Sequence, residues 1–219
     1  MGAAFDLAQT HGSKEQGMTS AAQSILLPQW LHDQIVAHAR EGKPEEICGI
    51  VRGRGPLALQ ALRARNIAAE RIENYTVDPQ TLLLQFEFED AGDEMTAIYH
   101  SHPVSPAYPS ATDAWNAHYP EAIYLICSLE FDEAPVVRAW RLVTEDAALE
   151  WETLVRELPF AEVRPGLWGW YAGESAPSSM RMGAGAIAPP FYLVYARDAD
   201  GTLDGRLVSV RECTIVVQA

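Results

Sequence analysis

The side chains best able to do chemistry lie in one run, His100-Ser101-His102-Pro103-Val104-Ser105-Pro106-Ala107-Tyr108-Pro109-Ser110-Ala111-Thr112-Asp113. Residues two apart on a strand face the same side, so His100 and His102 converge on one point if this run begins as a strand. Their imidazole nitrogens suit a borderline-soft cation such as Zn²⁺. The prolines of the following loop lower the entropy cost of a fixed return path. Asp113 then falls in the first turn of a helix, from which its carboxylate can reach back to the cation. Two His and one Asp are three protein ligands, and that count leaves a coordination position for water, as catalytic zinc sites do. Ser110-x-x-Asp113 also satisfies a capping box, which needs no chemistry. A cap alone does not account for an H-x-H pair ending a strand shortly before it.

The elements that must position these residues read as a mixture of helices and strands. Leu27, Leu31, Ile35 and Ala39 recur four apart and predict a helix over 25–40, with Pro28 in its first turn and Glu41-Gly42-Lys43-Pro44 ending it. Strands are expected near 48–52 and 57–65. A helix starting at Val77-Asp78-Pro79 should turn Leu82, Leu83 and Phe86 inward. The stretch 95–99 reads as a strand running into His100, followed by a helix over 110–118. Strands are expected at 122–129 and 136–143, and 149–158 fits either state. The Gly-, Pro- and Ser-rich run RPGLWGWYAGESAPSSMRMGAGAIAPP does not favour regular structure, although Trp168, Trp170 and Tyr171 should pack on something rather than face water. Beyond it, FYLVYAR and GRLVSVRE read as a hairpin and CTIVVQ as a third strand. The fold class that follows is α/β around a curved sheet.

Composition sets outer limits. The chain has 219 residues, a net charge of -14 and 48% hydrophobic residues, enough for a core. The acidic balance argues against nucleic acid, whose binding draws on Lys and Arg. No apolar run is long enough for a membrane helix. Residues 1–24 lack the pattern of a secretory signal and read as a flexible leader, with Met18 as an alternative start. Cys48, Cys127 and Cys213 are sparse and odd in number, which points to a reducing, cytoplasmic setting.

HSHPVSPAYPSATD resembles the H-x-H-x7-S-x2-D signature of the JAB/JAMM (MPN+) zinc metallopeptidase family. KPEEICGIV resembles the P-x-E-x-C-G element that supplies the family's upstream glutamate, in the register that selects Glu46 rather than Glu45. NIAAERIENYTVDP, residues 66–79, resembles the segment that joins the early strands to the second helix. The resemblance covers 25–158 and implies a cytidine-deaminase-like JAB/MPN sandwich as the catalytic domain. It leaves 159–219 as a linker and small β extension of unknown role. It implies one Zn²⁺ with a bound water, held by His100, His102 and Asp113, with Glu46 as the proton carrier and Ser110 as a donor to the tetrahedral oxyanion. Ser110 is not expected to be a nucleophile, because no general base is indicated for it. Within the family the wording is similar to small prokaryotic members acting on ubiquitin-like sulfur-carrier proteins. The implied partner is such a carrier, cut after its C-terminal Gly-Gly, for example to release cysteine from an adduct.

Two other functions use the same residues differently: a short-peptide or peptidoglycan-fragment metallopeptidase, and a non-catalytic MPN scaffold. The RadC-like branch shares the motif, but no helix-hairpin-helix element precedes it here and the net charge opposes DNA. Whether the chain forms an oligomer is left open. Cys48 is expected to be small apolar packing, as are Cys127 and Cys213. His32 and His38 are expected to be exposed, His118 to close the helix after the motif, and Ser101 to face away from the two histidines.

Overall fold

A computed structural model of the protein describes residues 24–173 and 188–219. Residues 1–23 of the expected leader lie outside them, as does the middle of the Gly- and Pro-rich run, whereas Ser24 already belongs to a strand. The elements in chain order are β1 (Ser24–Pro28), α1 (Gln29–Gly42), β2 (Cys48–Arg54), β3 (Leu57–Ala64), α2 (Pro79–Asp90), β4 (Glu94–His102), α3 (Ala111–Trp115), β5 (Ile123–Ser128), β6 (Val136–Thr144), α4 (Trp151–Glu157), β7 (Ala161–Arg164), β8 (Leu167–Ala172), β9 (Phe191–Arg197) and β10 (Leu203–Gln218). None of the described helices is long and apolar enough to cross a bilayer.

The ten strands among the described residues form one mixed sheet in the order β1-β3-β2-β4-β5-β6-β10-β9-β8-β7, and a further pairing of β1 with β10 closes its first part into a ring. Strand β10 makes this possible because it is long enough to have three neighbours. Residues 203–209 pair with β9, 208–213 with β6, and 214–218 run parallel to β1. The extension after residue 158 is therefore woven into the main sheet.

The sheet buries both faces. On one, α1 lays Leu31, Ile35, Val36 and Ala39 against Ile25, Leu27, Val51, Tyr99 and Leu125. On the other, α2 and α3 cover Cys48, Ile50, Ile98, Tyr124 and Ile126. Alternation along β4 thus sends Tyr99 to the first face and Ile98, His100 and His102 to the second. The third cluster, around Phe191, Leu193 and Leu207, packs α4 against the extension.

Several elements differ from the sequence reading. Residues 24–28 form a strand rather than the start of α1, and Pro28 is the helix N-cap position. Leu27 is buried on the same side as Leu31 although it lies on β1, so the four-residue spacing runs across an element boundary. Asp78 caps α2 as the Asp-Pro pair suggests, accepting from the Thr81 amide at 3.1 Å. Leu83 and Phe86 are nonetheless 58% and 56% exposed, and Phe88 is the buried residue. Apolar residues at 82, 83, 84, 86 and 88 surround this helix, so periodicity does not select a face. The glycine-rich run contains β8, because Leu167 and Ala172 are buried and Trp168 stacks on Tyr195 at 5.3 Å. The two expected final strands are one continuous β10.

Candidate metal centre

Strands β4 and β5 are parallel, with Ala97 opposite Ile123 and His102 opposite Ser128. Parallel neighbours cannot be joined by a hairpin. The chain must leave the end of β4 and cross back over the sheet, and that crossover carries Ser110, α3 and Asp113 over the face from which His100 and His102 project. The three side chains meet there. His100 Nε2 and His102 Nε2 are 3.1 Å apart, and Asp113 Oδ1 lies 3.2 Å from His100 Nε2. Asp113 Oδ2 is 3.5 Å from His102 Nε2. All three residues are buried, and one ligand atom from each falls within 4.8 Å of the others.

Each side chain is oriented by a specific partner. His102 Nδ1 donates to the Pro106 carbonyl at 2.7 Å, which fixes the tautomer and leaves Nε2 as a lone-pair donor. The Tyr75 ring stacks on His100 at 4.2 Å and 18°. Asp113 Oδ2 accepts from both the Ser110 amide and the Ser110 hydroxyl at 2.7 Å, while Ser110 Oγ accepts from the Asp113 amide at 3.1 Å. The capping box is thus present, and it coexists with the cluster: it engages Oδ2, the oxygen nearer His102, and leaves Oδ1 facing His100. The loop before it is pinned carbonyl by carbonyl. Ser128 donates to Ser105, His102 to Pro106, Trp140 to Ala107 and Tyr192 to Pro109.

The electrostatics suit a cation. Burial lowers the pKa of His100 and favours its neutral form. Burial also works against protonated His102, but the hydrogen bond and charge of Asp113, with Glu46 and the Pro106 carbonyl, outweigh it and move that pKa up. Burial opposes the charge on Asp113 as well, yet the two histidines hold it well below the ordinary carboxylate range. An ionised carboxylate and two imidazoles converging in a buried space draw positive charge to the point between them. That donor set fits Zn²⁺.

Glu46 lies just ahead of β2, and the pairing of Cys48 with His100 carries it toward the same end of the sheet. Its amide donates to the Arg71 carbonyl at 2.7 Å and its carbonyl accepts from Asn66 Nδ2 at 2.9 Å. Asn66 also donates to the Asn74 carbonyl and accepts from the Ala68 and Thr76 amides, so one side chain organises the loop that supports Glu46 and delivers Tyr75. The Glu46 carboxyl is pushed up to about 8, first by burial and then by the negative Asp113, with His102 pulling the other way. The roles of Asn66 and Tyr75 are missed in the sequence reading. Their only signal there is their place within residues 66–79.

The remaining candidates separate cleanly. Cys48 is buried in the core opposite His100 and its thiol is pushed up to about 12 by burial. Cys127 and Cys213 are buried free thiols. Ser101 points away from the histidines, and its Oγ accepts from the Ile47 amide at 3.0 Å. His38 is not exposed: it sits three residues after Ile35, on the sheet side of α1, with Nδ1 3.0 Å from the Tyr99 hydroxyl. Burial pulls its pKa to about 4. His32 is partly covered and 3.2 Å from Asp33. Helix α3 ends at Trp115, so His118 lies beyond it.

Residues 28–143 match a family model described as prokaryotic homologs of the JAB domain. The chain is 40% identical over 118 residues to the desampylase of Haloferax volcanii, covering 51% of this chain and 84% of that protein. It is 34% identical over 115 residues to the CysO-cysteine peptidase of Mycobacterium tuberculosis, covering 52% and 79%. It is 31% identical over 96 residues to a probable TtuB-protein conjugate cleaving protease of Thermus thermophilus, covering 43% and 64%.

Proposed function

The chain belongs to the prokaryotic JAB family and is a JAMM-type hydrolase, and from that premise we propose that it is a zinc-dependent peptidase for a ubiquitin-like or sulfur-carrier protein. It cuts a peptide or isopeptide bond after the carrier's C-terminal Gly-Gly. The relatives named for desampylation, CysO-cysteine cleavage and TtuB-conjugate cleavage support that substrate class. The observation that carries the mechanism is the convergence of His100 Nε2, His102 Nε2 and Asp113 Oδ1, together with a Glu46 carboxyl raised to about 8 by burial and by the charge of Asp113.

In this reading His100, His102 and Asp113 hold one zinc ion. When bound, zinc supplies a Lewis acid that lowers the pKa of a water from about 15.7 toward about 7. Glu46 takes the proton of the attacking water as general base and returns it to the departing nitrogen as general acid. Burial suits it to the second half of that task, because a carboxyl with a raised pKa holds a proton near neutrality. The Ser110 hydroxyl proton rests on Asp113 Oδ2. To stabilise the oxyanion it turns away from that oxygen, which keeps the Ser110 amide as its second donor.

The test is cleavage of a carrier protein fused through its Gly-Gly tail to a reporter, with and without a strong chelator. Cleavage should stop on metal removal and return with added zinc. Cleavage that persists after complete metal removal overturns the mechanism. A zinc-loaded enzyme that leaves every carrier fusion intact overturns the substrate class.

A further inference from the structure

Helix α3 has five residues, far fewer than a helix needs to hold itself together in water. It nevertheless carries Asp113, and three residues of the extension hold it along its length. At its entry, the buried hydroxyl of Tyr192 on β9 donates to the Pro109 carbonyl at 2.7 Å. In its first turn, Gly169 on β8 lies so close that a Cβ there would stand 2.7 Å from the Ala111 Cβ. At its exit, Arg206 on β10 donates to the Trp115 carbonyl at 2.8 Å, with its guanidinium 4.2 Å over the Trp115 ring.

The first contact bears directly on the carboxylate. Pro109 C=O and Ser110 N–H belong to one peptide unit, which is planar. Tyr192 holds its oxygen end, and Asp113 Oδ2 accepts from its nitrogen end at 2.7 Å. Fixing one end of a rigid unit fixes the direction of the other, and polarisation through it strengthens both bonds. We propose that the C-terminal extension is a brace for the metal centre, in which Tyr192, Gly169 and Arg206 act as positioning residues that set the Asp113 carboxylate against His100 and His102. The match to the family ends at residue 143, so the brace is a device of this chain beyond that match. It rests on the reading of His100, His102 and Asp113 as the zinc site.

The experiment measures the zinc dissociation constant by competition with a chromophoric chelator, alongside the melting temperature of the metal-free protein. The variants are Tyr192→Phe, Gly169→Ala, Gly169→Ala with Ala111→Gly, and Tyr195→Phe as the control. Tyr195 lies on β9 too, but it packs against Phe160 and Trp168 instead of the loop. Tyr192→Phe should bind zinc about tenfold more weakly, and Gly169→Ala about 10- to 100-fold more weakly, the range seen when partners of metal ligands are removed. Removing the Ala111 methyl should restore most of the affinity that Gly169→Ala loses, because it vacates the space the new Cβ needs. Tyr195→Phe should bind as wild type does, whatever its melting temperature. If Gly169→Ala does not fold, Tyr192→Phe decides the matter alone. Wild-type affinity in Tyr192→Phe, or equal losses in Tyr192→Phe and Tyr195→Phe, overturns the brace and leaves the zinc site standing. Absence of zinc binding by the wild type overturns the site, and the brace with it.

Discussion

Strand β4 presents His100 and His102 from the middle of the sheet, laddered to β2 on one side and β5 on the other, whereas α3 presents Asp113 from a single short turn. The backbone of both histidines is held by main-chain hydrogen bonds that any sequence could make at those positions, and Tyr75 and the Pro106 carbonyl orient only the rings. Asp113 is fixed by side chains: its reciprocal cap with Ser110, the pinned loop carbonyls, and the residues of β8, β9 and β10. The contrast teaches that a site can combine an arm that is rigid by topology with an arm that is rigid only because particular side chains make it so. Substitutions should expose the difference.

The largest effect is expected on the strand arm. His102→Ala removes a ligand that nothing nearby can replace, so zinc binding and cleavage should both be lost while circular dichroism stays native. A variant that still binds and cleaves would remove His102 from the site. Glu46→Gln leaves both arms in place and removes only the proton carrier. Its kcat should fall by about 10²–10⁴ with zinc content unchanged, and loss of zinc together with activity would make Glu46 a ligand instead. Ser110→Ala strikes the helix arm twice. Loss of the oxyanion donor should lower kcat by about 10²–10³, and loss of the cap should cost about 1 kcal/mol of stability. Full activity in the purified variant would leave Ser110 with its capping role alone.

The smallest effect concerns the space between the arms. In the folded, metal-free protein the Glu46 carboxyl sits at about 8, against an ordinary value of 4.5. Because the folded pKa is the higher one, the folded state binds more protons between these values. The stability this group contributes is complete below pH 4.5 and is lost as pH rises through 8. The melting temperature of chelator-treated protein should therefore decline by several degrees between pH 5 and 8.5. Glu46→Gln should flatten that decline, and an identical slope in the variant would place the titrating group elsewhere.

The sequence made the two arms unequally legible. Period-two spacing put His100 and His102 on one strand face, and Ser110-x-x-Asp113 marked a helix start; both are local patterns, and the structure brings these residues together. Whatever depended on distant pairing was not legible. Tyr192, Gly169 and Arg206 lie far along the chain from the loop and helix they touch, Gly169 in a run whose glycines suggested irregular structure and the other two in strands whose neighbours local patterns do not name. Pro28 looked like a first helical turn because four-residue spacing continued across it, although the buried residue before it belongs to β1. His38 looked solvated because spacing alone could not show that the Tyr99 hydroxyl stands beside it.

Strand β10 separates β6 from β9 and lies against β1, yet it is the last described strand to leave the ribosome. Until its residues emerge, β6 and β1 each present an edge without its final neighbour, and the β7-β8-β9 unit has no strand through which to join the rest. A nascent chain in that state is open to pairing with other chains, and closure over so large a sequence separation is slow. This protein should therefore depend on chaperones during synthesis more than its finished form suggests.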